Sequence, residues 1–319
     1  MLRLVAALLA VAALPAITPT ALASPQGGTA AATTAQQPAG TPAAPVACNN
    51  SPELCSRAYS NITHMGAHDS AFLRDASTGN SIAGNQYYNA TVALSAGIRL
   101  LQAQVHLSSS TLRLCHTLCE LLDAGPLDAW LAKIKAWLDG NRNEVVTLLL
   151  VNADNQPASA FAAAFSSSGI ASYAFTPPSS SSSNNNNTTI AWPTLQALIA
   201  ANTRLVTFIA GITPDANHPY LLNEFDHAFE TPYNVTSLAA FGCALDRPGT
   251  ANSSAAALAA GLLPLVNHFA YASLAQGVEI PDASDIDTTN SPSETQVGAL
   301  GRHVSGCVAE WGGSSPCYG

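Results

Sequence analysis

The chain has 319 residues, with only 11 Lys and Arg against 20 Asp and Glu and a net charge of −9. So acidic a surface repels a phosphate backbone and offers few cations to an anionic membrane, which argues against nucleic-acid binding. Past the N-terminus the longest apolar run, residues 255–266, is interrupted by Pro264 and followed by Asn267 and His268, too short to cross a bilayer.

Residues 1–23 combine Arg3, an apolar stretch over 4–14, Pro15 and an Ala-Leu-Ala site at 21–23, the pattern of a secretory signal. Residues 24–45 hold almost no large apolar side chain and read as a flexible leader. The remainder, 46–319, fits one large α/β domain or two small ones. Secretion agrees with seven N-x-S/T sequons, at Asn49, Asn61, Asn89, Asn186, Asn187, Asn234 and Asn252. An oxidising compartment favours disulfides among the seven cysteines, with Cys48–Cys55 and Cys115–Cys119 the natural short-range pairs. Cys243, Cys307 and Cys317 remain, and their pairing is open.

Seven runs carry strand character: 62–67, 99–106, 112–115, 144–152, 204–210, 221–225 and 263–269. The clearest, EVVTLLLVN at 144–152, is continuously apolar, as a strand buried on both faces requires. Before it, Leu127, Trp130, Leu131, Ile134, Trp137 and Leu138 recur at helical spacing between Pro126 and Gly140, and the two tryptophans read as core. Residues 166–189, rich in Ser and Asn, read as an exposed insertion, after which the alternation resumes at Trp192. Strands alternating with helices predict a TIM-type (β/α) barrel, whose catalytic residues sit at the C-terminal strand ends.

The stretch GAHDS puts adjacent His68 and Asp69 behind the first strand, and His116 follows the third. An imidazole near neutrality can give or take a proton, and a carboxylate beside it fixes its tautomer. Other chemistries find less support. Cys115, His116 and Cys119 have metal-ligand character, but the thiols favour a disulfide and no H-E-x-x-H is present. Ser70 lacks a G-x-S-x-G elbow, and the carboxylates Glu224 and Glu230 lie on one short segment rather than on opposing strands.

The segments ITHMGAHDS, GIRLLQAQVH, LRLCHTLC, NEVVTLLLVN, ETPYNV and LVNHF resemble the phosphatidylinositol-specific phospholipase C X-domain family, the PLC-like phosphodiesterases, in its secreted fungal branch. The resemblance runs from about residue 48 to about 290. It implies a distorted TIM barrel and phosphodiester cleavage by general acid/base catalysis, with His68 as general base, His116 as general acid and Asp69 as their acidic neighbour. It implies a phosphodiester or phospholipid-headgroup substrate, and no cofactor is expected, because neutral Gln102 and Gln104 are poor partners for calcium without carboxylates. Gln102 and Gln104 stand where phosphoinositide-active members carry an arginine or acidic calcium ligands. Together with Asn152, Glu224 and Tyr233 they are the substrate-binding candidates. The chain after Trp311 has no apolar run, so the eighth barrel strand is expected to be missing or irregular. A relative that binds a polar or phosphorylated ligand at the same mouth without strong catalysis is the alternative, and oligomeric state is not fixed by the sequence.

Overall fold

The computed structural model describes residues 46–178, 190–273 and 279–312. The signal, the leader, Asn186, Asn187 and Cys317 lie outside the described residues.

Parallel strands form the frame. β1 (Gly66–Ala67) pairs with the start of β2 (Leu100–Ser108), Gly66 opposite Leu100. On the other edge of β2 comes β5 (Val146–Asn152), where Gln102 faces Leu149 and Gln104 faces Val151. β6 (Leu205–Ala210) and β7 (Leu221–Asn223) continue the parallel order. A second parallel ladder joins β8 (Ala228–Glu230) to β9 (Leu263–Leu265). Two antiparallel strands, β3 (Thr111–Cys115) and β4 (Asp123–Pro126), fold back against the far end of β2.

Alternation along the strands builds two cores. Leu101, Ala103 and Val105 of β2 and Val146, Leu148 and Leu150 of β5 pack outward against α1 (Ala90–Ser95), α2 (Leu127–Gly140) and α3 (Ala158–Ser167). Leu100, Leu149, Val206, Phe208, Leu222, Ala228, Leu263 and Leu265 fill the interior with one another. A residue period of two along a pleated strand gives this division, and β5 is apolar throughout because both of its faces are covered. The arrangement is a distorted TIM-type barrel. Among the described residues, no ladder joins β7 to β8 or β9 to β1. Strands of two and three residues leave little unpaired edge for another chain to extend.

α2 buries Leu127, Trp130, Leu131, Ile134 and Leu138, each stabilising the fold by about 2 kcal/mol. Its last turn is held from outside: the Arg204 guanidinium donates to the carbonyls of Leu138 and Asn141, supplying partners that a helix C-terminus lacks. Arg204 also lies over the Tyr173 ring, 4.4 Å from its centroid. That contact corrects the expected start of the insertion. Residues 166–178 are built into the fold, with Ile170 and Phe175 buried, and 179–189 lie outside the described residues. α4 (Leu195–Ala200) and α5 (Ser254–Ala259) precede β6 and β9. After β9 come the hairpin of β10 (Tyr271–Ser273) and β11 (Glu279–Pro281), the short α6 (Ile286–Thr289) and α7 (Leu300–Glu310).

Disulfides join Cys48 to Cys55 and Cys115 to Cys119. A third, Cys243–Cys307, ties the segment after β8 to α7 across 64 residues.

Candidate active site

β1 ends in a tight turn. His68 follows it, and Asp69 takes a left-handed conformation, φ 47°, which aspartate tolerates better than most residues. Ser70 anchors the far side of the turn, its main-chain N–H and its hydroxyl both donating to the Gln102 carbonyl at 2.8 Å. Gln86 fixes the near side by donating to the His68 carbonyl at 2.6 Å.

His116 arrives from the opposite direction. β3 runs antiparallel to β2 and is not a barrel strand, so His116 is carried back down toward the mouth by a hairpin rather than by a third parallel strand. The Cys115–Cys119 disulfide closes the loop that follows, and Thr117 inside it sits at φ 62°. The Phe72 ring meets His116 edge-on at 5.3 Å.

The two imidazoles converge on one oxygen. Nε2 of His68 lies 3.2 Å, and Nε2 of His116 3.1 Å, from Oδ2 of Asp69. These are ion-pair distances without hydrogen-bond alignment. Asp69 is fully buried. Burial pushes its carboxyl up, but His68 and His116 outweigh burial and hold it down at about 2. His68 stacks face to face on Phe269, the residue four past the end of β9, with centroids 3.4 Å apart. A cleft of about 570 Å³ opens on the His68 side, lined among others by Arg74, Gln86, Tyr88, Gln102 and Asn267. His116 is only 2% exposed and does not line the cleft.

The substrate-binding candidates divide. Gln102 reaches the cleft, while Gln104 lies between the two histidine loops. Asn152 spends its amide on the main chain of Gln156 and on the Gly211 carbonyl, pinning the loop after β5 rather than facing the histidines. Glu224 is buried inside the barrel against Leu100, Leu149 and Phe208, not in the cleft. Desolvation, and after it the charge of Glu230, raise its carboxyl well above the usual range. Tyr233 is exposed and carries the Arg247 guanidinium over its ring at 4.4 Å.

Arg74, Arg247 and Phe269 escape a reading of the sequence. Arg74 is the cation of the cleft, and its guanidinium donates to the carbonyls of Gly84 and Ile82. Arg247 is paired with Glu230. No short motif flags either arginine, and Phe269 reads as one more apolar residue of a strand.

Of the carboxylates near the mouth, Asp69 meets the imidazoles, Glu230 is held by Arg247 and Asn267, and Asp154 by His106 and the Leu107 N–H, while Asp282, which lines the cleft, accepts from the Ser284 N–H and hydroxyl. Cys243, His303 and Cys307 also converge, but their sulfurs form a disulfide and are not ligands.

The family model PI-PLC X 1 matches residues 54–317. The chain is 36% identical over 262 residues to PI-PLC X domain-containing protein 1 of Arthroderma benhamiae, covering 82% of this chain and 79% of that one. An uncharacterized secreted protein of the same organism is 34% identical over 291 residues, covering 89% of this chain and 61% of its own length. Among solved structures, the F249X mutant of phosphatidylinositol-specific phospholipase C from Staphylococcus aureus superposes with a TM-score of 0.50 over 83% of this chain and 87% of that one. At 13% identity that likeness speaks for the fold alone.

Proposed function

Because the chain belongs to the PI-PLC X domain family, we propose that it is a secreted phosphoric diester hydrolase or lyase that uses His68 and His116 as base and acid. The observation that carries the reading is the convergence of two imidazoles on one buried carboxylate beside a cleft. A nucleophilic hydroxyl in the cleft loses its proton to His68 as its oxygen bonds to phosphorus. The bond from phosphorus to the leaving oxygen then breaks, and His116 supplies that oxygen with a proton. Asp69 stays ionised throughout and stabilises whichever ring carries the charge. An anionic phosphodiester entering the cleft competes with Asp69 for the rings, which brings His116 within reach of the leaving group.

We propose that the reaction needs no calcium. A hard cation requires several oxygen ligands, carboxylates above all; Asp69 already faces both imidazoles and Glu230 holds Arg247 and Asn267, which leaves Asp282 as the one carboxylate among the described residues that line the cleft. Phosphoinositide is the first substrate to try, since both the matching family model and the 36% identical relative carry the PI-PLC name. The signal-like N-terminus and a relative described as secreted support export. Exposed Asn61, Asn89 and Asn234 are suited to carry glycans.

A second reading, a relative that binds a phosphorylated ligand but cleaves slowly, is favoured by the deep burial of His116 and by an Arg74 already spent on carbonyls. Purified protein assayed on phosphatidylinositol and on soluble phosphodiesters, with and without EDTA, separates the two. Cleavage that survives EDTA and vanishes in His116→Ala is the expected result. Cleavage that EDTA stops while His116→Ala does not would overturn the mechanism, and binding without cleavage would favour the second reading.

A further inference from the structure

We propose that Gln104, backed by Gln102, is a positioning residue that sets the two imidazoles against Asp69, and not a ligand of the phosphate. The inference rests on the two-histidine reading above and gives the second strand a role in it.

One side-chain amide spans the two loops that carry the histidines. Oε1 of Gln104 accepts the Thr117 N–H at 3.1 Å, one residue past His116. Its Nε2 donates toward Asp69 Oδ2 at 3.4 Å, the same oxygen that both imidazoles meet. Two residues earlier on the same face of β2, Gln102 accepts the Asp69 N–H with Oε1 at 2.6 Å. Reversing the Gln104 amide would set its NH₂ against the Thr117 N–H and its oxygen against a carboxylate, so the network fixes its orientation.

An amide answers both demands, where the charged side chains do not. Arginine and lysine have no acceptor for the Thr117 N–H, and a carboxylate has no donor for Asp69. The N–H groups that the two glutamines hold belong to residues at φ 47° and φ 62°, and such conformations persist only where the surroundings over-determine them. Released, either backbone relaxes and takes the adjacent histidine with it. Both ends of the Gln104 amide are engaged by these two contacts, and the side chain does not line the cleft.

The test uses the full mature protein with Gln104→Met, which keeps the shape and removes both hydrogen bonds, and Gln104→Glu, which keeps the acceptor and loses the donor. Positioning predicts that kcat of the Met variant falls on the order of 10²-fold, as for a small misplacement of reacting groups, with KM changed by no more than about twofold. It also predicts that the ring ¹⁵N–¹H signals of His68 and His116 both move in either variant while the melting temperature shows a folded protein. A raised KM at unchanged kcat, or unmoved imidazole signals, would overturn the proposal. If wild-type protein cleaves no phosphodiester, the catalytic reading fails, and the imidazole signals decide the clamp on their own.

Discussion

Replacing Asp69 by Asn removes one charge and exchanges one acceptor oxygen for an NH₂, with the remaining oxygen able to meet Gln104 and the imidazoles. The two side chains are nearly the same size, and asparagine tolerates the φ of 47° that this position imposes. The size of the effect follows from the carboxyl itself. Fully buried, it should titrate high, yet the imidazoles hold it at about 2, below its ordinary 3.8. That difference is a net attraction of about 2 kcal/mol. The same attraction stabilises the imidazolium that forms when His68 accepts a proton. Its loss in Asp69→Asn should therefore lower kcat/KM by between about one and two powers of ten. The assay is hydrolysis of phosphatidylinositol or of a soluble phosphodiester from about pH 5 to pH 8, where imidazoles change charge. A stability measurement runs alongside. The native carboxyl sits below its unfolded value, so its stabilisation is present above 3.8 and is lost as pH falls toward 2. The acid sensitivity of wild type in that window should be flattened in Asp69→Asn. A variant within about threefold of wild-type kcat/KM across the pH range would refute the reasoning, because the charge would then be irrelevant to proton transfer.

Two further predictions concern stability. At the opposite end of the barrel, Glu144 Oε2 accepts from Arg99 Nε at 2.9 Å and Nη2 at 2.5 Å, both side chains nearly buried. Glu144→Leu leaves a buried guanidinium with the Leu94 and Ile98 carbonyls and the face of Trp137 and should cost about 3–5 kcal/mol in urea unfolding; a loss under about 1 kcal/mol would contradict an essential pair. His64 is lowered from 6.5 to about 4 by burial, which outweighs its bond to the Tyr59 carbonyl. The unfolded chain then takes up the proton first, so stability is complete above pH 6.5 and should drop by on the order of 3 kcal/mol as pH falls to 4. In His64→Phe this part of the slope should disappear, and an unchanged slope would assign it to other groups.

The features legible in the sequence were those whose physics is local. The β5 run reads as a doubly covered strand because every residue from Val146 to Val151 is apolar or a small hydroxyl, and α2 reads from five buried positions at helical spacing. His68 and His116 stood out because each follows a strand at a short turn. What failed to show depends on long-range contact. β8 has three residues, too few for a period, and takes its conformation from pairing with β9, a strand the sequence did show, 33 residues or more further on. That β3 returns antiparallel is decided by the two residues between β2 and β3, Ser109 and Ser110, both at positive φ where serine gives little warning. Cys243 and Cys307 could not be paired by proximity in sequence. Gln102 and Gln104 stand out in the sequence by the charge they lack, while the contacts they make, an acceptor for the Asp69 N–H from Gln102 and an acceptor and a donor from Gln104, depend on loops distant in the chain.

Thr117 shows what the mouth gives up for its geometry. A β-branched side chain at φ 62° is a poor match to its backbone, and such a residue costs on the order of 1–3 kcal/mol. Glycine there would relieve the crowding, and a search for thermostable variants would be drawn to it. The same substitution would slacken the loop that presents His116, the group asked to deliver a proton to the leaving oxygen. Screens for heat tolerance and screens for turnover should therefore pull this one position in opposite directions, so that a library randomised at residue 117 and sorted both ways would record how much ruggedness the protein forgoes to keep an imidazole in register.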